Sequence, residues 1–155
     1  MVDTIRDEQV TLLVGPPTMW AALTELDDAS PEAFSTVRLA VSGAAALPEK
    51  VAQAAAAVLG IQLHEGYGLT EASPSVTLGA GTDAPIGSIG RPIAGIEMRL
   101  VDDDGADVYI GDPGEILVRG PNVFPGYWQD PEATASVLDS EGWLHTGDIA
   151  VVDDD

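Results

Sequence analysis

The stretch His64-Glu65-Gly66-Tyr67-Gly68-Leu69-Thr70-Glu71 decides the reading of this chain. Two glycines, a tyrosine, a hydroxyl, two carboxylates and an imidazole fall within eight residues, where most of the sequence is apolar runs, alanine and scattered acid. Glycines on both sides of an aromatic let the backbone come close to a planar ligand. Thr70 and Glu71 add a hydroxyl donor and a carboxylate, which suit a phosphate oxygen and a divalent metal. The plain alternative is a tight turn after a strand, with polar residues that only cap a helix. On composition alone the two readings stand level.

Working outward on the N-terminal side, residues 10–14 and 37–41 are short continuous apolar runs, and 61–64 is a third short strand. Continuous apolar runs of this length read as buried strands. Residues 4–10 look like the end of a helix. Residues 18–26 carry Met19, Leu23 and Leu26 at helical spacing with Trp20 beside them, and 27–31 ends that helix and starts another short one. A helix opens at Leu47-Pro48-Glu49-Lys50, with proline in its first turn and an acid at its positive end. Val51, Ala55, Val58 and Leu59 form its expected buried face, and Gly60 its stop. Alternating strands and helices imply right-handed crossovers and a parallel sheet. Ligands gather beyond the carboxyl ends of such strands. Ser42-Gly43-Ala44-Ala45 and Gly66-Tyr67-Gly68-Leu69-Thr70-Glu71 both sit there.

On the C-terminal side the texture changes near residue 80. Residues 79–85 are a loop, and beyond them glycine and proline recur between β-rich runs at 96–101, 106–110 and 115–119. Asp102-Asp103-Asp104-Gly105 reads as a hairpin turn. A calcium loop is the lesser reading, because the alternating ligand pattern is absent. Asp130 caps a short helix with Pro131 at its first position. Trp143-Leu144-His145-Thr146-Gly147-Asp148 precedes a strand at 149–152. The expected fold class is therefore α/β: part of a parallel βαβ sheet subdomain over 1–80, then a small, mainly antiparallel β-barrel subdomain over 81–155. Asp153-Asp154-Asp155 looks like the first part of a hairpin turn with no return strand, the mark of a fragment.

Composition narrows the function. The chain has 155 residues, 45% of them hydrophobic, and no cysteine, so disulfides, thiolate chemistry and cysteine metal sites are excluded. No apolar run reaches 18 residues, so no membrane span is expected. The acidic N-terminus does not read as a signal peptide, which leaves a cytoplasmic setting as the default. Twenty-six acids against six bases give a net charge of −20, and Lys50 is the only lysine. Such a surface repels nucleic acid and anionic membrane. It also repels free nucleotide phosphates, so ATP would need Mg²⁺ and local cations. An acidic, lysine-poor surface fits adaptation to high intracellular salt, where long-range repulsion is screened.

The motifs in sequence resemble the adenylate-forming superfamily of acyl-CoA synthetases, aryl-CoA ligases, luciferases and peptide-synthetase adenylation domains. Tyr67-Gly68-Leu69-Thr70-Glu71 with the later Thr146-Gly147-Asp148 carries the likeness. Ser42-Gly43-Ala44-Ala45-Ala46-Leu47-Pro48 resembles the family's adenine-side loop. Gly87-Ser88-Ile89-Gly90-Arg91-Pro92, Gly114-Glu115-Ile116-Leu117-Val118-Arg119-Gly120 and Gly126-Tyr127-Trp128 resemble its later signatures. The segment from Glu65 to Pro74 is most similar to long-chain fatty acyl-CoA synthetases.

The resemblance implies a two-step ligase: a fatty acid carboxylate attacks the α-phosphate of MgATP, and coenzyme A then displaces AMP. It places Gly43, Ala44 and Ala45 along one face of adenine, and Tyr67 on the other with Gly66 and Gly68 shaping the loop. It puts Glu65 near the adenine amino group, Thr70 at the α-phosphate and the reacting carboxylate, and Glu71 on Mg²⁺. Asp148 would accept from both ribose hydroxyls. His64 either lines an acyl pocket or, the preferred reading, is packed and internally hydrogen-bonded. His145 is expected to be structural, and Tyr127, Trp128 and Trp143 to pack around the barrel. The family's phosphate loop with its lysine, its hinge arginine and the lysine of its mobile C-terminal domain have no counterpart here, and Lys50 is no substitute. The parent is thus expected to be an acyl-CoA ligase, and the isolated chain inactive or nearly so. The alternatives are a binding-only adenine-nucleotide module, or a piece of an aryl-CoA ligase or adenylation domain.

Overall fold

The computed structural model describes residues 1–82 and 84–153. Asp83 in the expected 79–85 loop, and Asp154 and Asp155 of the expected final turn, lie outside the described residues. The chain forms two compact units: unit 1 is Met1–Tyr67 with Thr77–Arg91, and unit 2 is Gly68–Val76 with Pro92–Asp155. The boundary expected near residue 80 falls inside unit 1.

Unit 1 is built on a three-stranded parallel sheet of β1 (Leu12–Gly15), β2 (Leu39–Ser42) and β3 (Leu63–Glu65), in that order. Each strand lies one or two residues later than its apolar run predicts. The runs begin before the ladder does, because Arg38 and Leu39 both reach back to the Thr11 carbonyl at the sheet entrance. Helices α1 (Val2–Asp7), α2 (Pro17–Thr24) and α3 (Glu49–Ala54) supply the cover. The core gathers Val2, Ile5, Trp20, Leu23, Phe34 and Leu59. Trp20 is fully buried, and its indole N–H donates to the Gly15 carbonyl at 3.1 Å, which satisfies the one polar atom that burial would strand. Leu26, expected on the same face, is exposed. It lies past the end of α2. The second short helix expected after 27–31 is a run of turns instead.

Helix α3 widens into a π-type turn over Ala55–Leu59 and stops at Gly60, which takes φ 67° as a left-handed terminator. Ala52, Ala55 and Leu59 are its buried residues, with Val51 and Val58 partly so. Lys50 is exposed in the first turn. A short pair joins β4 (Thr77–Leu78) to β5 (Arg91–Pro92).

Unit 2 holds an antiparallel sheet of β6 (Glu97–Val101), β7 (Pro113–Arg119) and β8 (Leu144–Val151). Val101, Leu117 and Trp143 form a buried cluster. Trp143 is also a platform for cations: the Arg119 guanidinium lies 4.4 Å and that of Arg99 5.4 Å from its ring centre. Arg119 is gripped by both Glu97 oxygens, which holds that carboxyl below and that guanidinium above their ordinary ranges. The acidic turn at Asp102 closes as expected: Asp102 N–H donates to the Ala106 carbonyl at 2.9 Å, and Gly105 takes φ 78°. The run at 106–110 is not a strand. Asp107 bridges back to Val101 and the Val108 N–H donates to the Leu100 carbonyl at 3.0 Å, but the pairing ends there and Tyr109 is 85% exposed. Helix α4 (Pro131–Val137) starts on Asp130, whose carboxylate accepts from the Ala133 N–H at 2.9 Å.

Candidate functional site

The carboxyl edge of the parallel sheet in unit 1 brings two turns together. Gly43 N–H donates to the Gly15 carbonyl, and Gly66 N–H donates to the Ser42 carbonyl, both at 3.2 Å. The ladder thus runs one residue past the ends of β2 and β3 before the chain turns. Beyond it, Ala44 and Ala45 are exposed, and Ala44 takes φ 67°, a left-handed conformation that costs an alanine about 1 kcal/mol. An exposed, strained turn of small side chains at a strand end leaves a flat, open surface there.

Tyr67 is fixed from both sides by one residue. Thr77 N–H donates to the Tyr67 carbonyl at 3.0 Å, and the Tyr67 N–H donates to Thr77 Oγ1 at 3.2 Å. Thr77 is 2% exposed, and its own hydroxyl donates to the Ile89 carbonyl at 2.5 Å. The backbone of Tyr67 is therefore set by a buried hydroxyl ten residues away. Nothing in the sequence singles out Thr77.

Glu65 has a different task from the one expected. Its carboxylate is buried at 8% exposure and accepts two backbone N–H groups, Leu47 at 3.0 Å on Oε1 and Gly87 at 2.6 Å on Oε2. It ties the start of α3 and the 84–90 loop to the end of β3. His64, its neighbour, is half-buried. Instead of being packed, it lines a cavity of about 180 Å³ in unit 1 with Gln53, Gln62, Pro85, Ile86 and Ser88. Glu65 borders the same cavity, so the end of β3 presents both side chains there.

In unit 2 the segment Gly68–Val76 is a narrow loop. Gly68 bridges Ser75, and a Cβ at Gly68 would collide with the Pro74 carbonyl, so only glycine fits this approach. Thr70–Ala72 is one turn of 3-10 helix, with Thr70 exposed and Glu71 half-buried. A second loop braces it. Phe124 N–H donates to the Glu71 carbonyl at 2.7 Å, Asn122 Nδ2 donates to the carbonyls of Ala72 at 2.7 Å and Ser75 at 2.9 Å, and the Tyr127 hydroxyl donates to Glu71 Oε1 at 2.8 Å. That bond, with burial and the Glu71 charge behind it, raises the Tyr127 phenol above its ordinary value. Tyr127, expected as packing, meets the Phe124 ring edge-on and makes this polar contact as well, and Trp128 stands 88% exposed. Trp143 does pack.

Asp148 owes its position to an irregularity in β8. Glu115 pairs with Ile149 and Leu117 with His145, so three residues of β8 oppose one of β7. Thr146, Gly147 and Asp148 form this bulge inside the strand, where the sequence places them ahead of it. Bulges re-aim side chains. Glu115 holds this one: Oε1 accepts from the Gly147 N–H at 2.9 Å, and Oε2 meets His145 Nδ1 at 3.2 Å. Thr146 Oγ1 donates to the Ile116 carbonyl at 2.8 Å and accepts from the Asp148 N–H at 3.1 Å, while Gly147 takes φ 74°. Asp148 is exposed. His145, expected to be structural, pairs with Glu115 beside the bulge. Among the described residues no three His, Asp or Glu side chains gather as a metal cluster.

The sequence matches the family of AMP-binding enzymes over residues 1–128. The chain belongs to that family. Among similar proteins is a long-chain-fatty-acid–CoA ligase of Yersinia pestis, 46% identical over the whole of this chain and 28% of that protein. A second from Escherichia coli O157:H7 is 42% identical with the same coverage. A feruloyl-CoA synthase of an Amycolatopsis species is 40% identical over all of this chain and 32% of that protein. Among solved structures, apo MatB of Rhodopseudomonas palustris superposes with a TM-score of 0.88 at 34% identity, over 99% of this chain and 31% of that one. The anthranilate-CoA ligase AuaEII with anthranoyl-AMP gives 0.88 at 33% identity, over 99% of this chain and 30% of that one. The chain thus spans under a third of the length of these relatives. The α/β class of the fold agrees with these neighbours. No helix of the described residues is long and apolar enough to cross a membrane.

Proposed function

We propose that this chain is the nucleotide-facing part of an ATP-dependent, AMP-forming acid–thiol ligase whose acid is a long-chain fatty acid. The observation that carries the reading is the bond from Gly66 N–H to the Ser42 carbonyl. It ties the Gly43–Ala45 turn to the Gly66–Tyr67 turn at the edge where ligands of parallel sheets collect. The names of the most similar relatives support the fatty acid, and the feruloyl and anthranilate ligases keep aryl acids as the runner-up class.

The residues take these parts. Gly43, Ala44 and Ala45 offer one face to adenine, and Tyr67 the other, with Gly66 and Gly68 setting the path of the chain. Thr70 donates its hydroxyl to the α-phosphate as the acid's carboxylate attacks it. Asp148 accepts from the two ribose hydroxyls. Glu71 fits a Mg²⁺ ion: it is a half-buried carboxylate with one oxygen held by a neutral phenol, and with no acidic cluster around it among the described residues it would share the ion with phosphates and water. Bound there, Mg²⁺ neutralises phosphate charge. The rest of the catalysis is alignment of attacking oxygen and α-phosphate. Glu65 braces the adenine-side turns through Leu47 and Gly87. Coenzyme A then takes the acyl group from AMP. Such a ligase works in the cytoplasm, where ATP and coenzyme A are supplied.

The only lysine, Lys50, is exposed on α3 and outside the Gly43–Ala45 and Gly66–Glu71 segments. ATP–pyrophosphate exchange tests the reading. A full-length ligase containing this segment exchanges with long-chain acids above aryl acids, and Thr70→Val or Asp148→Ala lowers exchange about a hundredfold. The isolated chain gives none. Exchange by the isolated chain, or full-length exchange indifferent to both substitutions, overturns it. A binding-only role is the second reading, because the Gly43–Ala45 turn needs neither lysine nor metal to meet adenine. Calorimetry with AMP and with MgATP, on the wild type and on Glu71→Gln, separates a bare adenine site from a metal-dependent one.

A further inference from the structure

Glu71 and Tyr127 lie 56 positions apart in the chain, yet the Tyr127 hydroxyl donates to Glu71 Oε1 at 2.8 Å. The contact is one of a set within unit 2. Phe124 N–H holds the Glu71 carbonyl, Asn122 holds the Ala72 and Ser75 carbonyls, and the Phe124 ring meets the Tyr127 ring edge-on with centres 4.9 Å apart. Backbone and ring are thus fixed on the Glu71 side of this loop, and the hydroxyl is delivered to one carboxylate oxygen. We propose that Tyr127 is a positioning residue for the metal-bearing carboxylate: it holds Glu71 Oε1 and so presents Oε2 as the single ligand atom to a divalent cation. The proposal rests on the reading above that Glu71 holds Mg²⁺.

The chemistry of the donor favours this. A glutamate side chain loses rotamer freedom when it binds an ion, and a partner that fixes it beforehand removes that cost. Lysine or arginine in the same place would cancel the charge that the ion needs. A phenol orders the carboxylate and leaves its charge intact. Engaging one oxygen also disfavours two-oxygen binding, which suits the small octahedral shell of Mg²⁺ better than the wide shell of Ca²⁺. Partners of ligating carboxylates commonly change metal affinity tenfold or more when removed.

The test is a Mn²⁺ titration of the 155-residue chain carrying ¹³C-carboxyl glutamate, with a non-hydrolysable ATP analogue at constant, saturating concentration to supply the phosphate oxygens, followed by paramagnetic broadening. The Glu71 signal is identified by its loss in Glu71→Gln. In the wild type it broadens at lower Mn²⁺ than the other glutamates. In Tyr127→Phe its midpoint rises about tenfold, with the other midpoints unchanged. 4-Aminophenylalanine at 127 restores a donor and brings the midpoint back, and the Phe124 amide shift checks that the loop is intact in both. Equal midpoints in wild type and Tyr127→Phe, or no rescue by the amino analogue, overturn the proposal while Glu71 remains a metal ligand. If Glu71 in the wild type broadens no earlier than the other glutamates, the metal reading itself fails and takes this one with it.

Discussion

In unit 1 the turn after β3 is anchored by groups that lie out of solvent, Glu65 at 8% exposure and Thr77 at 2%. In unit 2 the segments that carry Glu71 and Asp148 depend on groups that water reaches, Tyr127 at 39% exposure and a Glu115 side chain at 28%. The proposed ligand contacts differ in the same sense. An adenine ring has one shape throughout the reaction, and a buried brace can fix the surface that meets it. Phosphates, metal and leaving group change charge and position as the reaction proceeds, and solvent-reachable contacts can be made and broken at small cost. The difference teaches where rigidity is built in and where it is lent by exposed side chains.

The comparison can be broken by substitution. Glu65→Leu strands the Leu47 and Gly87 amides in a buried place and is expected to cost about 3 kcal/mol. A fall in the urea midpoint at constant slope measures this, and a change under 1 kcal/mol would show that the brace is not anchoring unit 1. Thr77→Val keeps the volume and removes the hydroxyl shared by Tyr67 and Ile89. About 1.5 kcal/mol is expected, together with weaker AMP binding by calorimetry. Glu115→Ala in unit 2 should cost only about 1 kcal/mol. Its signature is local: the Gly147 amide loses protection from hydrogen exchange, and Trp143 fluorescence stays unchanged. Ala44→Gly runs the other way, since relief of the left-handed strain outweighs the added freedom of the unfolded chain by about 0.5 kcal/mol. A lower melting temperature would contradict the strain assigned to that turn.

The smallest effect sharpens the comparison through pH. Tyr127 has its folded-state phenol raised by the Glu71 bond, so the stability that bond adds is fully present below the ordinary phenol range and is lost as pH rises through the raised value. Between wild type and Glu71→Gln, the tyrosinate absorbance curves should differ by one phenol that ionises earlier in the variant. Identical curves would remove the contact from solution.

Legibility in the sequence followed distance along the chain. The βαβ order, the Gly60 stop, the Asp130 cap and the Asp102 turn are local, each set by the residue's own backbone preference and its near neighbours, and each was read from a few letters. The ligand-edge turns at Gly43 and Gly66 were legible for the same reason. The partners of those turns were not. Thr77 looks like any β-branched residue, and Tyr127 like any barrel aromatic, because a hydrogen bond across 10 or 56 positions leaves no periodicity. The brace that Glu65 forms was not legible either, because a carboxylate next to a glycine-rich turn reads as a ligand group and its two amide partners lie 18 and 22 positions away. The run at 106–110 has β composition, but its pairing with β6 ends at Val108, too soon to turn propensity into a strand.

The order in which the chain visits its two units has a practical meaning. It passes between them after Tyr67, after Val76 and after Arg91. A single cut near residue 80, natural for a protein with one linker, would strip unit 1 of residues 81–91 and leave unit 2 without the loop that bears Thr70 and Glu71. Grafting either unit onto a relative therefore takes three junctions, and recombination by one crossover can exchange neither unit whole.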